Sequence, residues 1–373
     1  MKGRTIALGE IAGRRVAALI VDGQLDDILV DGPPDRPAPG AILRAIAGRP
    51  MKGQGGTMLD LPGGLSAFLR QTQGLAPGQP LLVQVTGHAE PGKALPVTTR
   101  LLFKGRFAIV TPGAPGVNVS RAIRDEDRHD ALTGLGRAAD LPEGAGLILR
   151  SAAETAGDAE VDEDIAALVA AARAVLGDAG GKRPEVLLDG DDAHAIAWRE
   201  WEADAVDTAP GALDRHDVPE MIDALRDPVV PLPGGASMIV EPTRALVAVD
   251  VNTGADASPA AGLKANIAAA RALPRVLRCR GLGGQVTVDF APAPKKDRRQ
   301  IETALRTAFR ADPIETAQAG WTPLGHIEMQ SKRERHPLSE TLPGRARSAR
   351  ARPIRSTARS ARAAAPTRTS ATG

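Results

Sequence analysis

Residues 245–290 hold two short runs of apolar, largely β-branched residues, and each run ends at an aspartate. The runs are Ala-Leu-Val-Ala-Val-Asp250-Val-Asn252 and Gly283-Gly284-Gln-Val-Thr-Val-Asp289-Phe290. Between them Ser258 and Pro259 form a helix start, Gly281 a helix stop, and Leu263, Ile267, Ala270 and Leu273 keep helical spacing. Strand, helix, strand in that order predicts a right-handed crossover, with both strands parallel and their C-terminal ends on one edge. Neighbouring strands would bring the two aspartates ~4.8 Å apart. Pro274 is expected to kink or divide the helix, because its ring removes a backbone donor.

Two carboxylates at that spacing could share one Mg²⁺ or Mn²⁺ at ~2.1 Å per oxygen, with waters and a substrate phosphate completing the octahedron. Asn252 lies two residues beyond Asp250 and faces the same way in an extended chain. Lys295, Lys296, Arg298 and Arg299 follow the second strand and could hold flanking phosphates. Aspartates at strand ends also cap turns and helices, so spacing alone leaves a structural role open.

The rest of the chain reads as a series of small units. Thr5–Leu8, Arg15–Val21 and Asp27–Val30 alternate as a hairpin, and Pro33–Pro39 is a break. Short strands at Ile42–Ile46, Gly56–Leu61, Leu65–Leu69, Leu81–Thr86 and Val97–Leu101 suggest a small barrel. Further strands fall at Leu102–Val110 and Gly146–Arg150, around a polar helix near Asp125–Leu135. A helix is expected over Asp162–Leu176, with Ile165, Leu168, Val169, Ala172 and Leu176 on one face. Pro184–Leu188 begins another strand, and helical stretches follow to about Arg226.

A length of 373 residues allows more than one domain, and 25% charged with 43% hydrophobic residues is ordinary for a soluble globular chain. The single cysteine, Cys279, excludes a disulfide framework or a Cys-rich zinc site within one chain. No signal-like N-terminal run and no window of ~18–20 apolar residues is present, so a cytoplasmic protein without a membrane span is expected. The net charge of +2 conceals an asymmetry. Residues 345–373 carry eight Arg and no acid, and without them 39 basic face 45 acidic residues. Nucleic-acid affinity must therefore come from local patches or from the tail, which has no apolar period and is expected to be disordered.

Taken together, several segments resemble the ribonuclease E/G family of metal-dependent RNA endonucleases. They are Pro233-Gly-Gly-Ala-Ser-Met-Ile-Val-Glu-Pro through Asp250-Val-Asn252-Thr-Gly, Lys264-Ala-Asn266, Leu277-Arg278-Cys-Arg280-Gly, Val-Asp289-Phe and Gly325-His-Ile-Glu328-Met329. The resemblance places the family's metal-binding aspartates on Asp250 and Asp289 and its asparagine on Asn252. It implies one Mg²⁺ and cleavage of single-stranded RNA to 5′-phosphate and 3′-hydroxyl ends, in rRNA and mRNA processing and decay. The implied α+β architecture is an RNase H-like fold (1–32 and 184–226) interrupted by an OB-fold barrel (33–98) and a 5′-sensor (99–183). A DNase I-like catalytic domain (227–343) and the Arg-rich tail (344–373) follow.

In the sensor, the resemblance assigns the 5′-phosphate pocket to Arg150, Ser151, Gly105 and Ile109, with Ser where Thr is usual. In the barrel it makes Phe68 a base-stacking aromatic and Lys93 a phosphate contact, while Met58 replaces a second aromatic. Phe68 could equally fill the barrel core. The family's Cys-Pro-x-Cys zinc link has no counterpart, so zinc is not expected, and any homo-oligomer would form by another route. Two rival readings exist. Gly87-His-Ala-Glu-Pro-Gly92-Lys93 nearly spells a phosphate-binding loop, but Ala94 follows and a strand is expected where a helix should open. The other is a non-catalytic RNA-binding relative of the same fold.

Overall fold

Period-two alternation folds the first thirty residues into an antiparallel meander, β1 (Arg4–Ile11), β2 (Arg14–Val21) and β3 (Gln24–Val30). The structure, a computed structural model, describes residues 3–70, 74–89 and 92–342, so the Arg-rich tail lies outside the described residues. Strands β4 (Ile42–Met51), β5 (Gly56–Asp60), β6 (Ser66–Leu69), β7 (Pro80–Val85) and β8 (Leu95–Thr98) close into a five-stranded, OB-like barrel. Its order is β4-β5-β6-β8-β7, and β7 pairs back to β4. Leu43, Leu59, Ala67, Leu69, Val83 and Val97 fill it. The segment that nearly spells a phosphate-binding loop leads into β8, so no helix opens there.

A second sheet has the order β11-β12-β10-β9, from β9 (Phe103–Lys104), β10 (Ala108–Thr111), β11 (Gly116–Val119) and β12 (Gly146–Leu149). Helices α1 (Glu126–Ala138) and α2 (Asp158–Gly177) join its core. Helix α2 starts four residues before the expected position, because Glu160 reaches back to accept from the Gly157 amide at 2.9 Å. Its fully buried face is Val161, Ile165, Val169, Ala172 and Val175, with Leu168 and Leu176 only partly buried beside it.

Strand β13 (Glu185–Leu188) does not join the first sheet; it pairs with β4 on the barrel. Helix α3 (Ala193–Glu200) then packs on the meander, and β14 (Ala205–Asp207) completes the first sheet parallel to β1. Barrel and second sheet are therefore inserted between strands of the first. Helices α4 (Ala212–Arg215) and α5 (Val218–Leu225) cover the meander's other face.

The C-terminal sheet has the order β15-β16-β17-β18-β20-β19. Its strands are β15 (Val229–Pro231), β16 (Ser237–Pro242), β17 (Val247–Asn252), β18 (Gly284–Asp289), β19 (Thr316–Trp321) and β20 (Ile327–Ser331). Only β17 and β18 are parallel, and α6 (Ala261–Arg280) connects them. Helix α7 (Arg298–Ala311) packs beside α6 in the same core, and the short α8 (Leu338–Thr341) ends the described chain.

Of the two expected effects of Pro274, division of the helix does not occur: α6 runs on through it. Ala270, Leu273, Val276 and Leu277 are buried around it. Burial at about 1.5–3 kcal/mol per large apolar side chain outweighs the roughly 3 kcal/mol that proline costs a helix interior. Gly281 ends the helix with φ of 65°, and a Cβ there would run into the His336 carbonyl.

Candidate active site

The pleat decides where the aspartates point. In β17, Val247, Val249 and Val251 enter the core, which turns Ala248, Asp250 and Asn252 to the opposite face. In β18, Gly284, Val286 and Val288 point inward, which turns Gln285, Thr287 and Asp289 the same way as Asp250. Asp250 and Asp289 are direct register partners across the parallel pair. Both are exposed, at the C-terminal ends of their strands. Asn252 donates from Nδ2 to Oδ2 of Asp250 at 2.8 Å, which restrains that carboxylate.

Two further residues, not singled out by sequence reasoning as site residues, adjoin the aspartates. His326, on the turn into β20, places Nε2 3.7 Å from Oδ1 of Asp289. Asn266, fully buried on α6, forms two hydrogen bonds with the backbone of Ala291, two residues past Asp289. Its Nδ2 donates to the Ala291 carbonyl and its Oδ1 accepts from the Ala291 amide, both at 2.9 Å. Gly262, one turn earlier, lies so close to the Pro292 carbonyl that a Cβ would collide with it. Helix α6 thus grips the chain immediately after the second aspartate.

The motif arginines of α6 serve packing instead. Arg280 donates to the carbonyls of Val240 at 3.0 Å and Asp227 at 2.6 Å, and burial pushes its pKa down. Arg278 is buried and bridges Asp26, Asp27 and Asp312.

Among the described residues no group of three or more His, Cys, Asp or Glu side chains could hold a metal. The pair at Asp250 and Asp289 offers two carboxylates only. That donor set fits Mg²⁺, which is commonly bound by one or two carboxylates and completes its shell from water and phosphate.

Arg150 follows β12 directly and reaches across the second sheet to Gly105, donating from Nη1 to the carbonyl at 2.7 Å. Asp164 accepts from the amides of Phe107 and Ala108 at 2.9 and 3.0 Å, and it occupies the space a Cβ on Gly105 would need. Ile109 is half-buried on β10, and Ser151 is exposed where a turn begins after Arg150. Glu200, the last residue of α3, forms an ion pair with Nη2 of Arg150 and a second bond with Arg199 at 2.7 Å. Burial pushes the Glu200 carboxyl up, but hydrogen bonds from Arg199 and Arg150 outweigh it and hold the group below the usual carboxylate range.

Phe68 points out of the barrel between the buried Ala67 and Leu69, directly across from Met58, and is not core filler. It lies over Gly56, where any Cβ would strike its ring. Lys93 is exposed in the turn that leads to β8, the neighbour of β6. Lys295 and Lys296 are exposed on the turn after β18. Asp250, Asn252 and Asp289 are thus brought together, as are Arg150 and Gly105, while Phe68 and Lys93 belong to the barrel.

Comparison with known proteins identifies the family. The model of the ribonuclease E/G family matches residues 103–209 and 202–334. The chain is 30% identical to a protein named ribonuclease E from Nostoc sp., over 70% of this chain and 44% of that one. It is likewise 30% identical to ribonuclease G of Escherichia coli K12, over 71% of this chain and 62% of that one. A Haemophilus influenzae ribonuclease E is 27% identical over 72% of this chain, which spans 33% of its length. The chain therefore spans between a third and two thirds of these relatives.

Proposed function

The chain belongs to the ribonuclease E/G family, and from that premise we propose that it is an endoribonuclease that cuts single-stranded RNA, using Mg²⁺ or, in its place, Mn²⁺. The observation that carries this reading is the register pairing of Asp250 with Asp289, both outward, with Asn252 bonded to the first. Asp250 and Asp289 would hold the ion, Asn252 fixes the Asp250 carboxylate, and His326 stands beside Asp289. Bound there, Mg²⁺ would lower the pKa of a water and offset charge developing on the phosphate oxygens. Attack on phosphorus with departure of the 3′-oxygen leaves 5′-phosphate and 3′-hydroxyl ends.

The other units serve to present RNA. Phe68 offers one face for base stacking, worth about 1–3 kcal/mol, and Lys93, Lys295 and Lys296 contact phosphates. Arg150 and Ser151, with Gly105 and Ile109, form the pocket for a 5′-monophosphate, because a guanidinium fork suits a terminal phosphate. Processing and decay of rRNA and mRNA in the cytoplasm is the setting this activity fits. No helix among the described residues is long and apolar enough to cross a membrane.

The test compares wild type with Asp250→Asn and Asp289→Asn on 5′-monophosphorylated and 5′-hydroxyl single-stranded RNA, with and without Mg²⁺. Mg²⁺-dependent internal cuts by wild type, reduced at least about a hundredfold in both variants, are expected, because such a loss is about 2.7 kcal/mol of transition-state stabilisation. Both side chains are exposed, so the variants should melt as wild type does. Binding without cutting by wild type would instead assign a non-catalytic RNA-binding protein.

A further inference from the structure

A cleft of about 1490 Å³ opens where the meander, the second sheet, α3, α6 and α7 meet. Nine Arg and Lys line it against five Asp and Glu, within a described body that is otherwise acid-rich. Its acids are mostly engaged. Asp26, Asp27 and Asp312 bond to Arg278, and Glu200 bonds to Arg150 and Arg199.

Five of its cations are not engaged. Arg4 on β1, Lys104 on β9, Arg271 on α6, Lys296 on the turn after β18 and Arg299 on α7 are all exposed. None of the five side chains has a hydrogen bond or ion pair with any described residue. Like charges gathered from five separate elements repel one another, and the acids of the cleft are outnumbered by its cations. A polyanion would compensate them. Location narrows its identity: Lys104 and Glu200 place one part of the cleft beside the Arg150–Gly105 contact, and Lys296 places another seven residues beyond Asp289.

We propose that this cleft is an RNA-backbone site in which Arg4, Arg271 and Arg299 contact successive phosphates, holding the strand between its 5′ end and the cut. The proposal rests on the ribonuclease reading above but names a surface that the barrel and the metal pair do not include. Its chemistry is that of phosphate neutralisation, so it carries no base preference and is sensitive to salt.

The test measures binding of an RNA of about 30 nucleotides, longer than the ~4–16 one OB-type barrel covers, by fluorescence anisotropy in Mg²⁺-free buffer over a range of salt. Three triple variants are compared with wild type: Arg4→Gln/Arg271→Gln/Arg299→Gln, the same three sites changed to Lys, and Arg244→Gln/Arg306→Gln/Arg310→Gln as a charge-matched control outside the cleft. The first should bind at least about fivefold more weakly, with the slope of log K against log salt shallower by about 2, at ~0.7 per single-strand phosphate. The Lys triple and the control should keep the wild-type slope. Equal slopes for cleft and control variants overturn the cleft while leaving the ribonuclease reading standing. Failure of wild type to bind RNA at all overturns both. Displacement of RNA by polyglutamate as readily as by polyuridylate would mark a docking site for an acidic protein and also overturn the proposal. Thermal melting of all three triples verifies that the fold is kept.

Discussion

Arg150, proposed to receive the 5′-phosphate, already carries an acid. Glu200 sits on the guanidinium that the 5′-phosphate would need, and Arg199 helps to keep it ionised. On the proposed reading, an incoming phosphate would displace a carboxylate from Arg150, and a dianionic terminal phosphate would do so better than an internal monoanionic one. Glu200→Gln keeps the size of the side chain and removes its charge. The expected outcome is a several-fold rise in affinity for 5′-monophosphorylated RNA, read by competition against 5′-hydroxyl RNA, because a charge-assisted bond to Arg150 becomes a weaker neutral one. Weaker discrimination in Glu200→Gln would show that the acid orients Arg150 rather than competing with phosphate.

At the scale of elements, the site depends on where α6 holds the end of β18. Asn266→Ala would leave the Ala291 amide and carbonyl buried without partners, at about 1–3 kcal/mol for each unsatisfied group. A loss of about 2–4 kcal/mol in urea unfolding is expected, with slower RNA cutting under conditions where the variant is fully folded. Unchanged cutting by the folded variant would confine Asn266 to stability. This part of the molecule shows what a sequence discloses and what it withholds. The strand, the helix and the facing of Asp250 and Asp289 follow from alternation, helical spacing and the Gly281 stop, all of which are local. Asn266 meets Ala291 across 25 positions and Arg150 meets Glu200 across 50, distances over which no periodicity operates. Strand β13 was legible as a strand, yet a four-residue segment with little buried surface does not disclose that its partner is β4 rather than the meander. Strand β11 leaves no apolar alternation in the sequence, because Gly116–Val119 has no buried face.

Over the whole molecule, the units are joined by polar contacts as well as apolar ones. Arg278 ties α6 to the β2–β3 region through Asp26 and Asp27, and Arg335 adds a second pair to Asp27. The barrel meets the C-terminal segment differently, through His88 and His336, whose rings lie 3.6 Å apart. Burial, then the neighbouring His336, pushes the His88 pKa down to about 3, and burial followed by Arg36 and Arg14 lowers that of His336. Both rings are therefore neutral in the fold near neutral pH. An unfolded chain binds a proton at each as pH falls through about 6.5, while folded His88 does so only near 3, so protons favour the unfolded state across that window. Stability should fall by at most about 1.4 kcal/mol per pH unit from His88 below pH 6.5, and by nothing from it above. His88→Gln removes the titration but keeps a polar group at the junction. Urea midpoints taken from about pH 7 to about pH 4 should decline less steeply in the variant than in wild type, whatever its stability at neutral pH. Parallel declines would mean that the histidine pair does not limit the acid stability of the barrel junction.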